Sequence, residues 1–279
     1  MHFWKVNGAG NDFIILSALT RDLTDAQCSA LAKHLCHRRF SIGADGLMVV
    51  TKPSGNGDFR MIFYNADGSQ GEMCGNGARC ICRFGYELGL SGEQQTVETA
   101  SGTVIGNRLS QREYRIRLND PSCVELRHSV DVDGIRYDCA YVELGQPGLP
   151  HAVLHYAGLE QASEEELREL GRAICHHSSF FKGANVNFYD LSGEDEICLR
   201  TFERGVEDLT LACGTGAAST VLILTLKGLV SGEDVKVHSL GGTLTVDMDR
   251  VGSHIDNLYL TGPTNFVAEG EITDEDLPL

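Results

Sequence analysis

Two short stretches carry the residue types from which proton-transfer chemistry is built. Cys74-Gly75-Asn76-Gly77-Ala78 recurs 139 residues later as Cys213-Gly214-Thr215-Gly216-Ala217. A cysteine followed by glycines at the start of a helix leaves the first backbone N–H groups open. Together with the helix dipole these form an anion site. The same field favours a thiolate: a free thiol titrates near ~8.5, and a helix N-terminus lowers that to roughly 3.5–7.5. Two such turns, related by a pseudo-twofold axis, would point two helix ends at one carboxylate and place a sulfur on each face of its α-carbon. One thiolate would remove the α-proton while the opposite thiol returned one from the other side. That is a two-base racemisation or epimerisation, with the helix dipoles stabilising the enediolate-like charge that develops.

Other chemistries fit less well. A single cysteine is most often a small buried apolar residue, but the repeat singles out Cys74 and Cys213 from the other eight. Cys74, Cys80 and Cys82, with His34 and His37, match neither the paired CxxC nor the Cys/His spacings of zinc sites, so no metal is expected. A Cys74–Cys213 disulfide would be an inactive oxidised form. "GAGNDF" at 8–13 lacks the third glycine of a dinucleotide fingerprint, and no lysine follows a glycine loop as in a phosphate-binding loop. The six lysines lie in no motif of a pyridoxal phosphate Schiff base. Two placed thiols make a cofactor unnecessary, and none is expected.

The elements that must carry these turns repeat with them. Fifteen residues beyond each cysteine come Gly89 and Gly228, then Gly102 and Gly242 at 28 and 29 residues. Upstream, "GADGLMVV" (43–50) parallels "GANVNFYD" (183–190), and "GNDFIIL" (10–16) parallels "GLPHAVL" (148–154). Four echoes in one order indicate two similar domains meeting near residues 118–128. "FRMIFYN" and "EICLRTFE" read as strands. "AASTVLILTLKG" is apolar on nearly every side, as in a helix buried within a sheet. Each half reads strand, turn, buried helix, more strands, so the class is α/β or α+β.

Composition limits the partners. With 279 residues, 42% apolar and 22% charged, the chain has a core of ordinary size. A formal charge of −16 excludes a nucleic-acid or anionic-membrane partner as a first reading. The longest apolar run, "TVLILTL" at 220–226, is too short to cross a bilayer, and "MHFWKVNGAGNDF" lacks a signal-peptide core. The expectation is a cytoplasmic protein with reduced cysteines and a small-molecule substrate.

In the order of its motifs the sequence resembles the diaminopimelate epimerases, cofactor-independent isomerases of bacterial lysine and peptidoglycan precursor synthesis. The segments are "GNDF" (10–13), "RRFSIGADG" (38–46), "YNADGS" (64–69), "CGNGAR" (74–79), "PH" (150–151), "NVNF" (185–188), "ERG" (203–205) and "ACGTGA" (212–217). The resemblance covers nearly the whole chain. It implies an α+β fold of two pseudo-symmetric domains, each a mixed sheet wrapped around a central helix, with the site in the cleft between them. The corresponding spans are 1–122, onto which 265–279 packs back, and 123–264. It implies epimerisation of LL-2,6-diaminopimelate to the meso form, with Cys74 and Cys213 as alternating base and acid and His151 and Glu203 tuning them. Backbone donors to the reacting carboxylate would come from Gly75, Asn76, Gly214 and Thr215. Asn11, Asn65, Asn185, Glu203 and Arg204 would hold the rest of the substrate, with the planar fork of Arg204 on the distal carboxylate.

Two positions depart from the family. Gly148-Leu149-Pro150-His151 replaces the usual Gly-Asn-Pro-His. Leucine cannot bond the distal end of the substrate, and an unpaired buried polar group costs roughly 1–3 kcal/mol. Either Gln146 or Asn187 compensates, or the chain is a racemase of another amino acid, such as histidine, on the same fold. Ala268 stands where many members carry a tyrosine at a dimer contact, so a homodimer is an expectation from the family alone. A third reading, a thiol protein that keeps the scaffold without catalysis, predicts no α-proton exchange by the reduced chain.

Overall fold

The computed structural model describes residues 1–20, 22–71, 74–251 and 254–278; Glu72 and Met73 ahead of the first repeated cysteine, and Leu279 of the acidic tail, lie outside them. The chain forms two compact units, one of Met1–Ile116 with Thr261–Leu279 and one of Arg117–Leu260. Seventeen strands and four α-helices are found among the described residues.

In chain order the first unit contains β1 (His2–Gly8), β2 (Asn11–Ser17), α1 (Asp25–Leu35), β3 (Gly46–Thr51), β4 (Phe59–Asn65), α2 (Gly75–Glu87), β5 (Gln94–Thr99) and β6 (Gly102–Arg108), followed by β7 (Glu113–Leu118). The second contains β8 (Pro121–Val132), β9 (Ile135–Leu144), β10 (Leu149–His155), α3 (Glu164–Cys175), β11 (Asn185–Gly193), β12 (Glu196–Glu203), β13 (Asp208–Thr210), α4 (Gly214–Leu226), β14 (Val235–Ser239) and β15 (Gly242–Val251). Then come β16 (His254–Pro263) and β17 (Asn265–Glu271), and β17 pairs antiparallel with β1.

The repeat read from the glycines is a repeat of topology. In the first unit β2 pairs parallel with β3, β3 antiparallel with β4, β4 parallel with β5, and β5 antiparallel with β6. In the second the same four steps join β10 to β11, β11 to β12, β12 to β14, and β14 to β15. The sheets are mixed and the class is α+β.

Each cysteine is the N-cap of the central helix of its unit, with an extended backbone: φ −114°, ψ 120° for Cys74 and φ −111°, ψ 111° for Cys213. Both helices also end alike. Gly89 and Gly228 are left-handed at φ 66° and 71°. The N–H of Leu90 bonds the carbonyl of Gly85 and that of Leu229 bonds Leu224, closing a Schellman turn on each helix. That is why glycine recurs fifteen residues after each cysteine. Helix α4 is buried on nearly every side and packs against β9, β10, β11 and β15. The outer helices α1 and α3, which sequence reasoning did not place, cover the opposite faces and close the cores around Leu31 and Leu35, and around Leu167 and Ile174.

Candidate active-site residues

In the first unit the β1–β2 hairpin lies across the start of α2. Gly8 pairs with Asn11, and the two residues of its tip, Ala9 and Gly10, are left-handed at φ 54° and 84°. A two-residue loop with both central residues left-handed matches the twist of the flanking strands. Gly8 has no room for a side chain: a Cβ would lie 2.9 Å from Cys80 Sγ and 3.1 Å from the Asn76 carbonyl. This close approach brings Asn11 to the cap, where its Oδ1 accepts the Cys74 thiol at 3.2 Å.

The other end of the Asn11 amide is fixed by an ionic cluster. Nδ2 donates to Asp45 Oδ2 at 2.6 Å. Arg38 bridges Asp12 and Asp45, each at 2.6 Å, and Lys5 meets Asp12 at 2.6 Å and also donates to the Gly43 carbonyl. Burial works against the Asp12 carboxylate, but hydrogen bonds and charge from Arg38 and Lys5 overcome it and hold its pKa at about 2. Asn65, at the end of β4, is exposed and donates to Ser69 Oγ at 3.0 Å.

In the second unit Cys213 is buried. Its sulfur accepts the Gly216 N–H at 3.3 Å and lies 3.5 Å from Thr215 Oγ1. The Glu203 carboxylate is within hydrogen-bonding reach of the same sulfur, and its Oε1 accepts from Thr210 Oγ1 at 2.7 Å. Burial first, then the charge of Glu203, push the thiol well above its ordinary pKa, against the pull of Thr215 and Gly216. Cys213 is therefore held as the protonated thiol.

His151 sits beside Asn185 across the parallel β10–β11 pair. Its Nδ1 accepts from Asn187 Nδ2 at 3.2 Å, which places the ring proton on Nε2. That nitrogen is buried with no hydrogen-bond partner among the described residues. Burial, then the charge of Arg204, lower the His151 pKa to about 3, so the ring is neutral. Asn185 Oδ1 accepts the Arg204 backbone N–H at 2.9 Å, while the exposed Arg204 guanidinium donates to the Lys182 carbonyl.

Of the residues singled out in the sequence, Cys74, Gly75, Asn76 and Asn11 meet at the start of α2. Cys213, Gly214, Thr215 and Glu203 meet at the start of α4. His151 is hydrogen-bonded to Asn187. Asn187 is fully buried, and both ends of its amide are engaged: Nδ2 by His151 and the Ala152 carbonyl, Oδ1 by Thr201 Oγ1 at 3.0 Å. It does not replace the asparagine missing at Leu149. Gln146 is exposed in the turn before Leu149. The residues missed were Asp12, Arg38 and Asp45. They lie inside "GNDF" and "RRFSIGADG", and their only sequence signal was opposite charge in two quoted motifs.

Comparisons with known proteins bear on the family and the fold. The family model described as diaminopimelate epimerase matches residues 3–114 and 145–267. The chain is similar to the diaminopimelate epimerase of Aquifex aeolicus, 36% identical over 285 residues and 99% of each chain. It is likewise similar to that of Caldanaerobacter subterraneus subsp. tengcongensis, 37% identical over 289 residues, 98% of this chain and 99% of the other. Among solved structures it resembles a probable proline racemase from Agrobacterium radiobacter K84, with a TM-score of 0.71 at 16% identity over 99% of this chain and 94% of that one. A hydroxyproline epimerase from Agrobacterium vitis gives a TM-score of 0.67 at 18% identity over 100% and 94%. At those identities the structural likeness speaks for the fold alone. The sequence likeness speaks for more, and with a cysteine capping the central helix of each unit, this chain belongs to the diaminopimelate epimerase family.

Proposed function

We propose that the chain is an isomerase that converts LL-2,6-diaminopimelate to the meso form without a cofactor, with Cys74 and Cys213 moving the α-proton. The observation that carries this reading is the equivalent placement of the two cysteines, each capping a helix whose first N–H groups can take a carboxylate. One thiolate takes the α-proton, the electron pair passes into the carboxylate as an enediolate, and the other thiol delivers a proton to the opposite face. Helix dipoles acting on the carboxylate stabilise that intermediate. Cys213, kept protonated beside Glu203, serves as the acid in one direction, and Cys74 as the base. Asn11, Asn65, Asn185, Glu203 and Arg204 hold the amino and distal carboxylate groups, and His151 steadies the Cys213 half through Asn187.

Leu149 favours a second reading on the same machinery, a racemase of another amino acid such as histidine. Among the described residues no helix is long and apolar enough to cross a membrane. A cytoplasmic location and a homodimer belong to the same reading, supported by the family.

The deciding experiment follows α-proton exchange by NMR in deuterated water. It uses reduced protein and a panel of LL-diaminopimelate, lysine, histidine, glutamate and aspartate. Exchange confined to diaminopimelate supports the first reading, exchange of another amino acid moves the substrate to the second, and silence across the panel with alkylatable thiols refutes both. Cys74→Ser and Cys213→Ser should each abolish epimerisation.

A further inference from the structure

Among the described residues Arg79 is the largest fully buried side chain, and the proposed chemistry has given it no part. It lies one turn into α2, and its side chain runs back toward the helix N-terminus, as helical side chains do. Nη2 donates to Asn76 Oδ1 at 2.9 Å and Nη1 reaches the Gly75 carbonyl at 3.5 Å, while Nε is buried without a partner among the described residues. A Cβ on Gly8 would lie 3.7 Å from Nη2, so the tip of the β1–β2 hairpin closes over the guanidinium on one side and delivers Asn11 to Cys74 on the other. No carboxylate among the described residues pairs with Arg79. An unpaired buried cation is among the costliest groups a core can hold, so its retention calls for an anion.

Several described groups stand around the Cys74 cap, where such an anion can form. From the hairpin comes the neutral Asn11 amide. Behind it stand Asp12 and Asp45 with Lys5 and Arg38, two carboxylates against two cations, which cancel. From α2 come the Cys80 thiol, which burial raises to about 12 and so leaves neutral, and Arg79. Arg79 adds its charge to the positive end of the α2 dipole.

We infer that Arg79 is a positioning residue of the Cys74 half-site: its guanidinium holds the Asn76 amide in the carboxylate cradle and is the buried counter-charge of the Cys74 thiolate. This deepens the proposed function and rests on Cys74 acting as a base. Asn11 Oδ1 holds the proton when Cys74 is a thiol, and Arg79 favours its loss, so the two set the balance between resting and reactive forms. Cys213 has the Glu203 carboxylate beside it.

The test is the pH dependence of Cys74 alkylation by iodoacetamide, read on the Cys74 peptide by mass spectrometry in the intact chain. Cys80 and Cys82 are buried and will not compete in the folded protein. Wild type, Arg79→Lys and Arg79→Gln are compared, with circular dichroism to verify folding. An opposite charge at close range shifts a thiol by about one unit or more, so Arg79→Gln should lower the alkylation rate at pH 7 by roughly tenfold. Arg79→Lys, which keeps the charge, should stay within about threefold of wild type. A folded Arg79→Gln with the wild-type profile, or equal shifts in both variants, overturns the inference. If neither variant folds, the wild-type profile decides: half-maximal alkylation below the ordinary thiol value of ~8.5 supports it, and at or above that value refutes it. The exchange panel separates this from the functional reading. Normal exchange with an unmoved Cys74 profile sinks the role of Arg79 alone, while silence across the panel with a shifted profile sinks the function alone.

Discussion

Asn11 joins the Cys74 thiol to the carboxylate of Asp45: its Oδ1 accepts from the sulfur at 3.2 Å and its Nδ2 donates to Asp45 at 2.6 Å. The amide cannot turn over without losing both bonds, so the orientation of the group beside the thiol is decided two side chains away. A charge-assisted hydrogen bond of this kind contributes about 1.5–3 kcal/mol. Asp45→Ala should therefore lower kcat/KM for the exchanging substrate by roughly 10–100-fold, at about 1.4 kcal/mol per tenfold. Steady-state kinetics checks this, and an unchanged kcat/KM would show that Asn11 is held by other means.

Glu203 and burial together keep Cys213 protonated. If Cys213 is the acid, activity is lost as pH rises through its pKa. Removing the carboxylate lowers that pKa, so in Glu203→Gln the alkaline limb of the rate profile should move to lower pH. The rate at the optimum should drop roughly tenfold or more, as for other general-acid assistance. A pH profile of kcat/KM for both proteins reads the sign directly, and a limb that moves upward contradicts the assignment.

His151 makes the folded state sensitive to acid. Its pKa falls from 6.5 to about 3 on folding, because the buried ring resists protonation. The folded protein then binds fewer protons than the unfolded chain below pH 6.5. Stability is retained above that value and is lost progressively as pH falls toward 3, by an amount on the order of several kcal/mol. Urea denaturation at pH 7, 6, 5 and 4 should show a steep decline in wild type and a shallower one in His151→Gln. Parallel slopes would mean that His151 is not the group responsible.

The second glycine of each Cys-Gly-x-Gly turn should respond differently to alanine. A Cβ at Gly216 would lie 2.3 Å from Asn187 Oδ1, a buried amide with no freedom to retreat. At Gly77 it would lie 2.6 Å from Met48 Cε, the end of a flexible side chain. Gly216→Ala should cost about 1–3 kcal/mol by overpacking and disturb the Thr201–Asn187 bond, whereas Gly77→Ala should cost less than about 1 kcal/mol. Thermal or urea unfolding of the two variants gives the comparison.

The sequence was legible where its signals are local and repeated. Cysteine, glycine and apolar spacing placed α2 and α4, and the strands β4 and β12, because caps, Schellman glycines and periodicity depend on neighbours in the chain. Helices α1 and α3 were missed, since their polar outer faces dilute the pattern. Asn187 is a case where residue type misled: a polar residue near a site reads as a ligand, but burial and two committed ends make it a strut. Arg79 shows the reverse, because nothing in "CGNGAR" reveals that an arginine is sealed from solvent.

By itself the sequence determined the family, the two-fold repeat, the cysteines that cap the central helices, and the reaction class those cysteines imply. All of these follow from residue identity and spacing along the chain. Only the tertiary structure decided which groups stand beside which sulfur: Asn11 at Cys74 with Arg79 in the core nearby, and Glu203 at Cys213. Those neighbours are brought together by the β1–β2 hairpin closing on α2 and by the end of β12, which carries Glu203 to the Cys213 cap. Their effect on a thiol depends on distance and burial, which no spacing in sequence encodes.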